Sequence, residues 1–173
     1  DAVALDLEEL PAVSDVARAL APGAPAIWPE ASDNLSLDWE DGDAAAVEAA
    51  FKSAAHVARV RLQDTRVAPS TLEPRAAIGQ WDETTGRYTL IACTQGVAVV
   101  RKLLAENVFK VPLERIRVLT YDVGGGFGMK VQVYPEHAAL LVAARRVERP
   151  VRWRASRLES FLGDTHGRDG ELE

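Results

Sequence analysis

Asp122-Val123-Gly124-Gly125-Gly126-Phe127-Gly128-Met129-Lys130 is the stretch that decides how this chain is read. Four glycines fall within five positions, directly after an expected strand at residues 115–121. Glycine tolerates positive φ and lets another molecule approach the bare main chain. Phe127, alone among them, sets one bulky ring over whatever approaches. Such a loop offers backbone N–H groups to a ligand, and an anionic ligand suits them. The plainer alternative is a tight strand-to-helix turn with a glycine-lined packing surface.

Two standard phosphate-binding loops are excluded. A P-loop ends in Gly-Lys-Ser/Thr, but here Met129 precedes Lys130 and Val131 follows it. A Rossmann fingerprint starting at Gly124 requires a third glycine where Met129 stands.

Further blocks flank the loop: Leu72-Glu73-Pro74-Arg75, Thr94-Gln95, Tyr134-Pro135-Glu136, Arg149-Pro150-Val151-Arg152 and Arg157-Leu158-Glu159-Ser160-Phe161. Together, in this order and spacing, they resemble the molybdenum subunit of the xanthine dehydrogenase and aldehyde oxidase family. Within it they are most similar to the carbon-monoxide-dehydrogenase-type large subunits. The opening Leu7-Glu8-Glu9-Leu10-Pro11-Ala12-Val13 resembles the end of the α/β hammerhead module that precedes the molybdenum domain. The resemblance covers nearly the whole chain and implies that it is one piece of a larger subunit.

It also assigns roles, residue by residue. Gln95 matches the family's glutamine, whose amide hydrogen-bonds an oxygen ligand of molybdenum; a carboxamide can donate and accept at once. Phe127 and Gly128 match the family's Phe-Gly beside the metal and pterin, with Gly124, Gly125 and Gly126 keeping the loop thin. The cofactor-binding set is thus Gln95, Gly125, Gly126, Phe127 and Gly128, with Gln95 and Phe127 in the surroundings of the metal. No catalytic residue is expected here, because the family's general-base glutamate lies further downstream. Glu73 helps to shape the site, Lys130 is structural or charge-compensating, and Glu136 and His137 occupy a helix's first turn, where carboxylates suit the dipole. Where purine-oxidising relatives carry a substrate-recognising glutamate, this chain has Val131, which puts a purine substrate in doubt.

The implied activity is hydroxylation of aldehydes, N-heterocycles or related small molecules with water as oxygen source. The cofactor is molybdenum-molybdopterin, in the cytosine dinucleotide form usual among bacterial relatives, and it carries the redox chemistry. Iron–sulfur and FAD groups belong to partner subunits, and the remainder of the large subunit is a further partner. The isolated chain is expected to be inactive. The rival reading is a non-catalytic structural or assembly module of the same fold that holds no cofactor. A degenerate module should have lost Gln95 or the glycine loop; both are present.

Composition agrees with a globular protein and narrows its partners. The 173 residues are 47% hydrophobic, with no apolar run of membrane-spanning length and no signal-peptide pattern, so a cytoplasmic location without membrane contact is expected. A net charge of −6 argues against a nucleic-acid partner. Arg145, Arg146, Arg149, Arg152, Arg154 and Arg157 are a local exception, either a solvated helix end and edge strand or a surface for an acidic neighbour. One cysteine, Cys93, excludes an internal disulfide and a Cys-ligated cluster; its apolar neighbours predict burial.

The pattern along the chain is α+β: mixed sheets with packed helices, without internal repeats. Residues 1–24 form the end of the hammerhead-like module, 25–42 a linker pinned by Trp28 or Trp39, and 43–173 the first part of a molybdopterin-binding domain. A weak alternation predicts a strand at 2–7, and Ser14 caps a short helix at 15–20. Asp43 caps a helix to residue 54 with Val47, Ala50, Phe51 and Ala54 as its apolar stripe. An extended stretch runs over 55–67. A hairpin follows with arms 76–81 and 87–94, the second presenting Tyr88, Leu90 and Ala92 on one side. A helix spans 97–109 with Val100, Leu103, Leu104, Asn107 and Val108 at helical spacing. A helix over 135–147 opens on Pro135, and a last strand covers 151–155.

Overall fold

The computed structural model describes residues 4–173. In chain order the elements are α1 (Val16–Ala19), α2 (Ala44–Ser53), β1 (Leu62–Asp64), β2 (Ala76–Asp82), β3 (Arg87–Ala92), α3 (Val97–Leu103), β4 (Ile116–Leu119), α4 (Pro135–Val147), β5 (Val151–Arg154), α5 (Arg157–Gly163) and β6 (Gly170–Leu172). This is the mixed α+β architecture expected. They divide into two compact units, the described residues up to 66 with 168–173, and Val67–Gly167.

In the first unit β1 pairs antiparallel with β6, Leu62 opposite Leu172. Ion pairs Arg59–Glu173 (3.2 Å) and Arg66–Asp169 (3.1 Å) flank this ladder. Asp43 caps α2 as expected, its carboxylate accepting from the Ala46 N–H at 2.9 Å. α1 is capped by Asp15 rather than Ser14, because the Asp15 carboxylate accepts from the Arg18 N–H at 2.7 Å. No described residue of this unit is buried, and the α2 stripe residues Val47 and Phe51 are about half exposed (52% and 53%). Trp28 and Trp39, expected to pin a linker, are exposed, so neither anchors it within the described residues. Only 62–64 of the extended stretch 55–67 pairs as a strand. The strand expected at 2–7 lies partly outside the described residues, and 4–7 form no strand.

The second unit carries the site. Its four-stranded sheet has the order β4-β3-β2-β5, with β2 antiparallel to both neighbours and β3 parallel to β4. A parallel pair needs a crossover, and α3 supplies it between β3 and β4. Strand alternation puts Ala77, Tyr88, Leu90, Ala92, Ile116 and Val118 on the buried side, where Val100, Leu104, Leu140 and Leu141 cover them. Gly79 lets α4 approach the sheet: a Cβ there would lie 2.6 Å from the Leu140 carbonyl oxygen. The same alternation turns Cys93 toward the open side, so it is half-buried rather than in the core. Its sulfur accepts the Ala76 N–H at 3.2 Å.

α3 does not continue as an α-helix to residue 109. From Leu104 to Phe109 the chain takes a π-helical turn, which rotates the stripe. Ala105 becomes buried and Phe109 packs on the core, while Asn107 and Val108 face outward. α4 has the expected bounds. α5 was not foreseen, although its capping box is visible: the Ser156 hydroxyl accepts from the Glu159 N–H, and the Glu159 carboxylate from the Ser156 N–H.

Candidate functional site

The glycine loop leaves β4 at Leu119 and ends in a short 3-10 turn, Met129–Val131. The main chain is left-handed at three points: Gly125 (φ 94°), Phe127 (φ 50°) and Gly128 (φ 84°). Phe127 alone bears a side chain there, a conformation that costs a non-glycine residue about 1 kcal/mol or more. Its ring is 76% exposed. An apolar ring held outward on strained backbone is the arrangement of a contact surface rather than of a packed turn.

Gln95 follows β3 and faces this loop. Its Oε1 accepts the Gly128 N–H at 3.0 Å, and its own N–H donates to the Lys130 carbonyl at 3.2 Å. A Cβ on Gly126 would overlap the Gln95 carboxamide. The missing side chain at 126 therefore admits Gln95, an internal neighbour, instead of leaving room for a ligand. Gly124 is used in the same way by Glu73, whose Cβ would stand 2.5 Å from a Cβ at 124. At Gly128 a Cβ would meet nothing within 4 Å, so the open side of the loop is there.

Gln95, Gly125, Gly126, Phe127 and Gly128 thus lie together. Gly126 is buried, yet its N–H has no acceptor among the described residues, nor has that of Phe127. The Gln95 amide nitrogen likewise donates to none of the described residues. Unclaimed N–H donors beside an exposed aromatic ring and open space at Gly128 fit an oxygen-bearing, anionic group laid on the loop. Among the described residues no cluster of three or more His, Cys, Asp and Glu side chains could hold a metal ion directly.

Two buried cations brace the surroundings. The Lys130 side chain is fully buried, and its ammonium donates to the Glu73 carboxylate and to the Glu73 carbonyl, each at 2.9 Å. Burial pushes the Glu73 carboxyl up, but hydrogen bonds from Lys130 and the Gly124 N–H, with the Lys130 charge, hold it below the ordinary carboxylate value. Arg75 is 3% exposed and bonds Asp164 (2.5 Å) and Glu136 (3.1 Å), with its guanidinium 3.6 Å from the Tyr134 ring centre. Tyr134 Oη in turn donates to the Met129 carbonyl at 2.9 Å, tying this network to the end of the loop. Asp164 was missed from sequence, since 89 residues separate it from Arg75. His137 is buried among these groups. Burial first, then the Arg75 charge, lowers its pKa to about 4, and its Nδ1 accepts the Tyr134 N–H at 3.3 Å.

A cleft of about 450 Å³ lies on the open side of the sheet, lined by Ile78, Ile91, Cys93, Arg152 and Arg154 with Glu73 at its edge. It does not include Gln95 or Phe127, so the site is placed by donor chemistry and not by cavity volume. Among the described residues no helix is long and apolar enough to cross a membrane.

The chain belongs to the molybdopterin cofactor-binding domain family, whose model matches residues 27–173 and so includes the glycine loop and Gln95. Among its relatives is the carbon monoxide dehydrogenase large chain of Hydrogenophaga pseudoflava, 32% identical over 99% of this chain and 23% of that one. The nicotine 6-hydroxylase large subunit of Paenarthrobacter nicotinovorans is 31% identical over 98% of this chain and 20% of its own length. Of solved structures, reconstituted CO dehydrogenase from Oligotropha carboxidovorans superposes with a TM-score of 0.84 at 30% identity, over 95% of this chain and 22% of that one. Quinoline 2-oxidoreductase from Pseudomonas putida 86 gives 0.74 at 34% identity, over 94% and 20%. The chain therefore spans about a fifth of the length of these relatives.

Proposed function

We propose that this chain is the molybdenum-facing part of the large subunit of a cytoplasmic molybdenum hydroxylase. Its substrates are aldehydes, N-heterocycles or related small molecules, oxidised with water as the oxygen source. Relatives named for carbon monoxide, nicotine and quinoline support a small substrate, and Val131 weighs against a purine. The cofactor is molybdopterin in its cytosine dinucleotide form, and iron–sulfur and FAD subunits take up the electrons. The chain alone, without the rest of the large subunit, turns nothing over.

The observation that carries this reading is the hydrogen bond between Gln95 and Gly128 beside the exposed Phe127 ring. When bound, the cofactor supplies the redox chemistry. The role of this chain's residues is placement. Gln95 holds the loop with its Oε1 and keeps its amide N–H groups for an oxygen of the bound group. The N–H groups of Gly126 and Phe127 add donors, the left-handed backbone at Gly125 and Gly128 sets their direction, and the Phe127 ring keeps water from that side.

The test is turnover by the intact protein with its partner subunits, over a panel of aldehydes and N-heterocycles with an artificial electron acceptor. Turnover that depends on Gln95 supports the reading. A protein that folds, assembles and carries no pterin would be the structural or assembly module instead.

A further inference from the structure

We infer that Glu73 and Lys130 are a positioning pair that locks the two ends of the glycine loop together and so fixes the Gln95 carboxamide against the cofactor. This rests on the cofactor reading above.

The pair joins segments that are distant in sequence. Glu73 lies before β2, and its Oε2 accepts from the Gly124 N–H and from the Lys130 ammonium, each at 2.9 Å. The Glu73 N–H donates to the Gly124 carbonyl at 3.1 Å, so residue 124 is gripped through both of its backbone groups. Gly124 begins the glycine run and Lys130 ends it. One carboxylate therefore ties the start of the loop to its end.

Lys130 then carries the constraint to Gln95. Its carbonyl accepts from the Gln95 N–H at 3.2 Å and from the Thr94 hydroxyl at 2.8 Å. The side chain of residue 130 holds the loop, and its main chain holds the backbone of Gln95 from which the carboxamide reaches Gly128. Both hydrogen bonds that its ammonium donates go to Glu73, at a site with 0% side-chain exposure. Burying an ion pair seldom adds stability over an apolar pair of equal size, whereas removing one partner strands the other charge. An apolar residue at 130 would pack more cheaply but could not grip Glu73. What the ion pair supplies is a single loop conformation.

The test uses the intact protein as wild type, Glu73→Gln, Lys130→Met and the double variant. Hydrogen exchange of a peptide covering 122–131 is read by mass spectrometry against one covering 87–92, with molybdenum content, kcat and KM measured alongside. In each single variant we expect exchange of the loop peptide to rise at least about tenfold, the effect of losing or weakening a charge-assisted hydrogen bond, with the reference unchanged. We expect kcat to fall with KM unchanged. In the double variant no buried charge is stranded, so the melting temperature recovers while loop exchange stays fast and kcat stays low. Loop protection and kcat that recover with the melting temperature would overturn the positioning role, as would unchanged exchange in all variants. Should Lys130→Met not fold, Glu73→Gln keeps the shape and decides the matter. Wild-type protein without molybdenum would sink the cofactor reading but leave the exchange comparison to decide the pair.

Discussion

Gln95 Oε1 accepts the Gly128 N–H at 3.0 Å across 33 residues of sequence. This bond makes a side chain after β3 part of the loop after β4. It spends the carboxamide's acceptor on the protein and leaves its donor without a partner among the described residues.

Replacing Gln95 with alanine should leave the fold intact while stripping the loop of that acceptor. The expected stability loss is about 1 kcal/mol. Turnover by the intact protein should fall roughly 10- to 100-fold, as for other residues that orient a metal's surroundings. Circular dichroism and steady-state kinetics check the two halves separately; unchanged kinetics would remove Gln95 from the site.

Two glycine substitutions should fail in opposite ways. In Gly126→Ala the new methyl meets the Gln95 carboxamide, an exposed side chain free to swing aside, so stability should change by only about 1 kcal/mol while turnover falls as in Gln95→Ala. In Gly128→Ala the methyl meets open space but the residue is held at φ 84°, which should cost roughly 1–2 kcal/mol without displacing Gln95. Melting curves and kcat for both variants give the comparison.

Acid should loosen the site through His137. Its pKa is about 4 when folded against 6.5 ordinarily, so the unfolded chain binds the extra proton between those values. Stability from the neutral imidazole is therefore complete above about pH 6.5 and is lost as pH falls toward 4, by on the order of 3 kcal/mol. Glu73 and Glu136 have lowered values, so their contributions fade only below 4.5. Melting temperature between pH 7 and 4.5 should decline in wild type and stay nearly flat in His137→Leu.

Asp164→Ala should be among the most damaging single changes in this unit. It removes the buried partner of the Arg75 guanidinium, which is 3% exposed, and leaves only the more exposed Glu136, so it should cost about 3 kcal/mol. Glu136→Gln should cost less, because Glu136 is 34% exposed and its amide still accepts from Arg75. Denaturant unfolding of the two variants gives the order.

Local signals made much of the fold legible. Pro135 with an apolar stripe marked both ends of α4, Asp43 marked the start of α2, and alternation in β3 named its buried side. The parallel pairing of β3 with β4 left no such mark, since it depends on a crossover, and neither did the π-turn at 104–109, where the periodicity reads as plain α-helix. The signal for α5 was present in Ser156 and Glu159 and went unread.

At the site, family resemblance named Gln95 and the loop, and the thinness of the loop was plain from its composition. What that thinness serves was not. Gly126 and Gly124 read as room for a ligand, but they receive Gln95 and Glu73, and only tertiary structure brings residues 73, 95 and 124–130 together. Lys130 read as structural or charge-compensating, but its complete burial could not be read from its neighbours in sequence.

Metal analysis of the purified intact protein tests the central claim most directly, by mass spectrometry of molybdenum against protein concentration in wild type and Gln95→Ala. Molybdenum stoichiometric with the chain in wild type, with pterin released on denaturation, is the predicted result. Folded, assembled wild-type protein without molybdenum or pterin would contradict it.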